Sequence, residues 1–260
     1  MNNIISLFTS DASISKSILT TDEAEDKIDE NKPVSIFSIA KIHNIDPIFI
    51  VESSFVSFIS SYKNAQKLNK QLIFGIKFKI VQDSKLKTEE SFLTESSVIV
   101  WMKNSDGYKD LIKLYSAIHA DESNFYYYPR GNWKLLQDFW TDNLSMSIPF
   151  YGGFISKNVL NYGHHAVPDF GSIRPNFILE EHELPFDGIL TQKITNYCRE
   201  NKYDIIEGHS IYYYKDKDVF PMQIMRCINN RSTFDCPNLN HFSSNKFSFE
   251  SWRERVKNEQ

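Results

Sequence analysis

The sequence predicts an α/β fold, a distorted seven-stranded (β/α) barrel in which short strands alternate with helices. About seven short apolar runs are followed by segments of helical periodicity, a pattern typical of βαβ units and a mainly parallel sheet. The chain has 260 residues, a length that one α/β barrel commonly fills. Its composition is 41% hydrophobic and 14% aromatic, which is enough to fill a bulky core. We therefore expect one barrel domain over residues 1–260.

The first half of the chain supplies four of the predicted strands and most of the predicted helices. Apolar runs predict strands at 4–8, 47–52, 72–81 and 98–102, and helical spacing predicts helices at 22–28, 35–43, 54–68 and from residue 104 onward. The helix at 54–68 is the clearest, because large apolar side chains such as Phe58 and Tyr62 recur on one face. Asn104 or Ser105 can cap the fourth helix.

The second half of the chain is less regular. An aromatic turn at 124–130 precedes a short helix near 133–139 and a strand at 144–150. Residues 151–174 carry several glycines, so we expect an irregular loop insertion there. After it the pattern predicts a strand at 176–180, a helix at 191–200, a last core strand at 203–208, and a C-terminal helical tail over 220–260 with helices at 220–228 and 247–256.

The charge and the cysteine content exclude several classes of protein. A net charge of −4 leaves no general positive field for holding nucleic acid, and the 9 glycines form no phosphate-binding loop. Three cysteines without a C-x-x-C pair indicate neither a disulfide framework nor a thiolate zinc site. No secretory leader or long apolar run is visible, so we expect a cytoplasmic protein without a membrane anchor.

Seven segments carry short motifs that occur in the same order in a known family. The most specific is 98–111, V-I-V-W-M-K-N-S-D-G-Y-K-D-L, followed by 124–130, N-F-Y-Y-Y-P-R. The others are 6–17, 47–55, 61–65, 72–77 and 203–212. Together they resemble the PHP (polymerase and histidinol phosphatase) domain at the N-terminus of the bacterial DNA polymerase III alpha subunit. The resemblance implies a PHP-like barrel of about seven parallel strands, with metal ions at the strand ends that hydrolyse phosphoesters.

Carried over one position at a time, the metal-ligand positions of that family hold residues that make poor ligands. The histidines of its H-x-H motif correspond to Leu7 and Thr9, and the last two residues of its T-D-H motif correspond to Glu52 and Ser53. The glutamate of its G-x-E motif corresponds to Lys77, and the aspartate and histidine of its D-x-H motif correspond to His209 and Ile211. A further ligand near the fifth strand corresponds to Phe150 or Tyr151. Aliphatic side chains offer no lone pair, and an ammonium group repels a cation. The resemblance therefore implies a vestigial cleft of Leu7, Thr9, Asp11, Glu52, Ser53, Lys77, His209 and Ile211, with no catalytic residue, metal or cofactor.

Two arrangements of this cleft remain open. Asp11, Glu52 and His209 could hold one weakly bound ion. Alternatively, Glu52 and Lys77 could fill the cleft as an ion pair. The ion pair is the favoured interpretation, because one carboxylate and one imidazole rarely complete a coordination shell.

The remaining histidines and the aromatic turn have ordinary structural interpretations. His164 and His165 lie near Asp169 in the insertion, but adjacent histidines on a loop usually point apart, so we expect solvated side chains. The single histidines, which we expect to be packing or surface residues, are His43, His119, His182 and His241. The turn at 124–130 could stack on single-stranded bases and contact a phosphate through Arg130, although internal packing is favoured.

The leading functional hypothesis is a catalytically inactive PHP-like domain of, or derived from, a DNA polymerase III alpha subunit. Such a domain would have a structural or partner-docking role in DNA replication. Its partners would be the polymerase palm domain or a proofreading exonuclease, with DNA contacted only indirectly and no membrane involved. Two alternatives are a metal-dependent phosphoesterase or nuclease with a rebuilt site, which would use His164 in addition to Asp11, Glu52 and His209, and a stand-alone replisome-binding module.

Overall fold

Ten strands and eight helices make up the part of the chain that the computed structural model describes, residues 4–29, 31–233 and 244–258. The strands are β1 (Ile5–Phe8), β2 (Ile48–Glu52), β3 (Leu72–Val81), β4 (Ser96–Met102), β5 (Phe125–Tyr126), β6 (Tyr128–Pro129), β7 (Gly131–Asn132), β8 (Leu144–Ile148), β9 (Asn176–Leu179) and β10 (Ile205–Ile211). The helices are α1 (Ile36–Ile42), α2 (Phe58–Lys67), α3 (Ser105–His119), α4 (Trp133–Asp138), α5 (Phe154–Leu160), α6 (Asp187–Asn201), α7 (Val219–Asn230) and α8 (Phe249–Asn258). None of these helices combines the length and the apolar character needed to cross a lipid bilayer.

Eight of the strands form one sheet, in the order β2, β1, β10, β9, β8, β4, β3 and β7. An additional pairing of β2 with β3 closes seven of them into a barrel, and β7 is an extra strand beside β3. The prediction of an α/β fold with a seven-stranded barrel is therefore confirmed. The chain packs as two units, one comprising residues up to 74, 180–187 and those from 207 onward, and the other comprising 75–179 and 188–206.

The first unit is built on three neighbouring parallel strands, with β1 between β2 and β10. Leu7 of β1 lies opposite Phe49 of β2 and Ser210 of β10. Helix α8 packs against this layer, because the ring of Phe8 stacks on that of Phe249 with 6.4 Å between centroids. One face of the three strands is thus covered by the C-terminal helix.

The second unit contains a strand that runs against its neighbours. β4 is antiparallel to both β3 and β8, whereas β8 and β9 are parallel. The parallel arrangement implied by the family resemblance is therefore wrong for β4. The physical reason lies in the connector at 82–95, which holds only one turn of 3-10 helix (Glu89–Phe92). A parallel return needs a crossover that is usually helical, whereas an antiparallel neighbour does not.

One predicted helix does not form, because residues 22–28 adopt irregular structure. The Ser35 hydroxyl donates to the carbonyl of Asp22 (2.7 Å), and the N–H of Glu25 donates to the Ser38 hydroxyl (2.9 Å). These contacts use backbone groups that a helix would pair internally. Contacts with the start of α1 therefore override the helical spacing of this charged segment.

Other boundaries also differ from the predictions. Helix α5 occupies part of the segment 151–174, for which a loop is predicted, and the rest of that segment is irregular. β10 continues to Ile211, beyond the predicted end at 208. Helices α7 and α8 lie in the predicted C-terminal tail, of which residues 234–243 are outside the described residues.

Gly75 allows the indole of Trp101 to lie against the backbone of β3. A Cβ atom at this position would be 2.5 Å from Cε3 of Trp101, which is closer than two carbon atoms can pack. Gly75→Ala is therefore expected to lower the free energy of unfolding by about 2 kcal/mol through overpacking, measured by urea denaturation. Gly188→Ala is the matched control, because its Cβ would meet no atom within 4 Å. Equal stabilities for the two variants would contradict this packing argument.

Candidate functional site

The pairing of β1 with its neighbours decides which candidate residues share a face. Because Leu7 lies opposite Ser210, Leu7 and Thr9 share one face with Ser210 and Tyr212. Ser6 lies opposite His209, and Phe8 lies opposite Ile211, so His209 and Ile211 belong to the other face. The residues of the predicted cleft therefore lie on two different faces of the sheet. If the family's last two ligand positions lie on the same face as Leu7, they correspond to Ser210 and Tyr212 in this chain. When the alignment of a strand is shifted by one residue, each aligned position falls on a side chain of the opposite face of the sheet.

The face that carries His209 and Ile211 is core. Phe8, Ile50 and Ile211 are fully buried on it, and Phe8 stacks on Phe249 of α8. His209 is also buried, and neither of its ring nitrogens has a hydrogen-bond partner among the described residues. His209 and Ile211 thus pack beneath the C-terminal helix and do not line an open cleft.

Glu52, at the end of β2, is held in a cluster of hydroxyl groups that we call the Glu52 cluster, formed with Ser10, Ser13 and Ser53. Its Oε1 accepts hydrogen bonds from the N–H (3.0 Å) and the hydroxyl (2.5 Å) of Ser10, and its Oε2 accepts one from the Ser13 hydroxyl (2.5 Å). The Ser13 hydroxyl also accepts the N–H of Ser53 (2.9 Å). Both carboxylate oxygens are thus used to fix the loop after β1 to the end of β2.

The electrostatics of Glu52 are those of a buried acid. Burial raises the pKa of this carboxyl above its ordinary value of 4.5, and the hydrogen bonds from Ser10 and Ser13 oppose that rise. The candidate ligand Asp11 lies nearby in sequence but is exposed, so it does not join this cluster. The ion pair of Glu52 with Lys77 stays a prediction.

A second buried cluster in the first unit contains residues that follow β9 and residues of β10. Glu180 Oε2 accepts the N–H of Ser210 (2.7 Å) and lies 3.8 Å from Nε2 of His182. The same Nε2 is 3.3 Å from the carbonyl oxygen of Ser210. The His182 ring stacks on Phe247 with 3.8 Å between centroids, and the His209 ring lies 4.4 Å away. His182 is therefore a packed core residue, which agrees with one of the interpretations expected for the single histidines.

Burial lowers the pKa of both imidazoles in this cluster. The pKa of His182 lies well below its ordinary 6.5, and the charges of His209 and Arg255 lower it further, while the Ser210 carbonyl opposes the shift. Burial, followed by the charge of Arg255, lowers the pKa of His209 to about 3. Both rings are therefore neutral near pH 7 and act as packing groups.

In the second unit, two of the carried-over ligand positions lie close together. The Lys77 ammonium donates to the carbonyl of Tyr151 (3.4 Å), and Tyr151 packs edge-on against the fully buried ring of Phe150. One of these positions thus carries a cation and the other an aromatic side chain. Neither is a donor that binds zinc or manganese.

Arg130 follows the aromatic turn and is completely buried. Its guanidinium donates to the Ser91 hydroxyl (2.6 Å) and the Leu86 carbonyl (3.1 Å) and lies over the ring of Tyr126, 5.0 Å from the centroid. The phosphate contact considered for Arg130 is therefore wrong, and the internal-packing interpretation holds for this residue. Tyr127, at the tip of the turn, is 71% exposed.

The donor set does not fit a metal ion. Among the described residues, no group of three or more His, Cys, Asp or Glu side chains is arranged to hold one. Both carboxylate oxygens of Glu52 already accept hydrogen bonds from hydroxyl or N–H groups, and His209 is buried. His164 and His165 are exposed in the second unit, and His241 lies outside the described residues.

The sequence places serines near the predicted strand ends but does not reveal that they hold Glu52, nor which residues surround His182. Ser10 and Ser13 lie in the loop that follows β1, and His182 lies in the segment between β9 and α6. Their positions just beyond strand ends are where barrel folds place functional side chains. The position near a strand end is visible in the sequence, but the partners of these residues are distant along the chain.

Comparison with models of known protein families gives a match. A model of the PHP domain matches residues 18–169, which is more than half of the chain. The matched range includes Glu52, Ser53 and Lys77 but leaves out β1 and β10. No curated protein matches the sequence.

Proposed function

Because the chain belongs to the family of PHP domains, we propose that it is a PHP domain that no longer hydrolyses phosphoesters and that serves DNA replication as a structural or docking module. In this proposal it is part of, or derived from, a DNA polymerase III alpha subunit. The order of the motifs at 98–111 and 124–130 supports that origin.

The observation that carries the proposal is the chemistry at the former ligand positions. Leu7 and Phe150 offer no lone pair, and Lys77 places a positive charge where the family has a glutamate. Assigning the last pair of positions to Ser210 and Tyr212 does not restore a carboxylate or an imidazole. The Glu52 cluster keeps its place, but its hydrogen bonds hold two loops together.

Helix α7 supports a docking role. Phe220, Ile224 and Ile228 recur every four residues and are 54%, 39% and 73% exposed, forming a surface that we call the α7 stripe. An apolar stripe on one helix face is typical of surfaces that bind another polypeptide. We assign the α7 stripe to the polymerase palm domain.

The full chain is expected to bind a palm-containing fragment of a DNA polymerase III alpha subunit, measured by calorimetry. Ile228→Asp is expected to weaken binding by about tenfold or more, because it places a charge in the apolar contact. Val56→Asp is the matched control, because Val56 is exposed to a similar degree (79%) but lies outside α7. The same protein is expected to contain no stoichiometric zinc or manganese and to leave a generic phosphodiester intact in added Mn²⁺.

Two outcomes would contradict this proposal. Bound metal together with phosphodiester hydrolysis would favour the alternative of a phosphoesterase with a rebuilt site. Binding to a proofreading exonuclease without any affinity for the palm domain would favour a stand-alone replisome-binding module.

A further inference from the structure

Internal packing explains only part of the aromatic turn at 124–130. The Tyr128 hydroxyl donates to Oε2 of the buried Glu95 (2.5 Å), so this ring is fixed from within the second unit. Phe125 and Tyr127 are by contrast 51% and 71% exposed. Two aromatic rings within three residues therefore face solvent.

Tyr127 lies at the tip of a small hairpin. Tyr126 of β5 pairs with Tyr128 of β6, which leaves Tyr127 alone in the turn with a left-handed φ of 62°. Its ring lies edge-on against that of Tyr126, with 4.7 Å between centroids, and 5.8 Å from that of Phe92. The exposed ring is thus placed by its neighbours before any partner binds, which lowers the entropy cost of binding.

The turn of 3-10 helix at Glu89–Phe92 adds apolar and acidic side chains to the same surface. Residues three apart lie one above the other in such a helix, so Glu89 lies beside Phe92. In the same way Glu90 lies beside Leu93, whose N–H donates to the Glu90 carbonyl (3.0 Å) and whose side chain is exposed. The apolar surface, which we call the aromatic patch, comprises Phe92, Leu93, Tyr126 and Tyr127.

The charge around the aromatic patch is negative. Segments 83–90 and 121–122, which precede Phe92 and the hairpin, hold more exposed carboxylates than exposed lysines. The carboxylates are Asp83, Glu89, Glu90, Asp121 and Glu122, and the lysines are Lys85 and Lys87. Lys87 donates to the carbonyl of Glu122 (3.2 Å), whereas Glu89 and Glu90 form no ion pair within the described ranges. The carboxylates still outnumber the cations when the buried charge of Arg130 is included.

This charge decides between the kinds of molecule that bind exposed aromatic rings. The bases of single-stranded nucleic acid would stack on Tyr127, but their phosphates would be repelled by Glu89 and Glu90. An anionic lipid surface would be repelled for the same reason. A polypeptide with lysine or arginine between apolar side chains matches both features, because its cations would contact the rings and the carboxylates.

We propose that the aromatic patch is a docking surface for a basic polypeptide segment in which lysine or arginine alternates with apolar residues. The cations contact Tyr127 and the carboxylates of Glu89 and Glu90, and the apolar side chains pack on Phe92 and Leu93. The aromatic patch lies in the second unit and includes no former metal-ligand position, whereas the α7 stripe lies in the first unit. The inference therefore does not rest on the proposed role in replication.

The test is binding of the full chain to an array of short fluorescent peptides, measured by fluorescence anisotropy at low ionic strength. In the cationic peptides arginine alternates with leucine, phenylalanine or tryptophan, and in their acidic counterparts glutamate replaces arginine. We expect saturable binding of cationic peptides, about tenfold or more tighter than that of their acidic counterparts and weaker in added salt.

Tyr127→Asn removes the exposed ring and introduces a residue that tolerates the left-handed backbone, and it is expected to weaken binding by about tenfold. Tyr162→Asn is the matched control, because Tyr162 is also left-handed (φ 50°) and is 98% exposed, but lies outside the aromatic patch. Glu89→Gln is expected to weaken binding by about threefold, and Glu200→Gln, at an exposed position of α6, is expected to leave it unchanged.

Thermal unfolding of each variant shows whether it is folded. The proposal would be overturned if no cationic peptide bound more tightly than its acidic counterpart, or if a folded Tyr127→Asn variant kept full affinity. Tighter binding of oligothymidylate than of every cationic peptide would assign the aromatic patch to single-stranded DNA instead. Self-association of the wild-type protein that Tyr127→Asn abolishes, measured by sedimentation, would assign it to a second copy of this chain and would also overturn the proposal.

Discussion

Replacing Glu52 by leucine is expected to lower the free energy of unfolding by about 3 to 5 kcal/mol, which would be the largest effect of any single change considered for this chain. The substitution leaves the N–H of Ser10 and the hydroxyls of Ser10 and Ser13 facing an aliphatic group. Buried donors that lose a charged acceptor keep their full desolvation cost. Denaturation in urea, monitored by circular dichroism, measures the loss.

Two variants show whether the carboxylate itself is responsible. Glu52→Gln retains an oxygen acceptor of similar shape and is expected to cost less than half as much as Glu52→Leu. Glu254→Leu makes the same change at an exposed position of α8 and is expected to have almost no effect. If Glu52→Leu were as stable as the wild-type protein, the Glu52 cluster would not be holding β1 and β2 together.

The paired imidazoles of His182 and His209 are expected to make the fold unstable toward acid. Their pKa values in the folded state lie below 6.5, so the unfolded chain binds protons first as the pH falls. Their contribution to stability is complete above about pH 6.5 and is lost as the pH falls below it. Between about pH 7.5 and about pH 5.5 each ring should cost about 1.4 kcal/mol, so the pair should cost about 3 kcal/mol.

Urea denaturation at several pH values tests this expectation. His209→Gln cannot take up a proton at this position, so its pH profile should be shallower than that of the wild-type protein by about 1.4 kcal/mol between about pH 7.5 and about pH 5.5, whatever its absolute stability. The raised pKa of Glu52 has the opposite effect on the pH dependence of stability. Because Glu52 is present in both proteins, its effect cancels when the profile of the variant is subtracted from that of the wild-type protein. Parallel profiles for His209→Gln and the wild-type protein would show that the imidazoles are not responsible.

The sequence pattern predicts the barrel well because most strands are short apolar runs with helices between them. It is wrong where contacts between distant residues decide the outcome. Ser35 and Ser38 take the backbone groups of residues 22–28, and no local propensity reveals that competition. The direction of β4 is likewise set by a contact between distant residues, because β4 pairs with β3 in the antiparallel orientation.

The candidate site was harder to predict than the fold. Glu52 stands out in the sequence as an acid at a strand end, but its serine partners are about 40 residues away, as their separations of 39 and 42 show. The sequence alone does not show whether His209 or Ser210 shares a face with Leu7. That assignment depends on the strand register, which pairs Leu7 with Ser210. The packing of His182 cannot be predicted from its neighbours in the sequence, because the residues that bury it, including Phe247, come from another part of the chain.

The pairing of β1 with β10 also governs the order in which the protein can fold. Ile5 aligns with Gly208, so the ladder between the first and the last of the described strands joins residues about 200 positions apart. Closing so long a loop costs entropy before any hydrogen bond is gained, which slows folding. While the chain emerges from the ribosome, one edge of β1 stays open to other strands. The β1–β10 ladder thus forms only after β10 has been synthesised, and chaperones have time to act on the nascent chain.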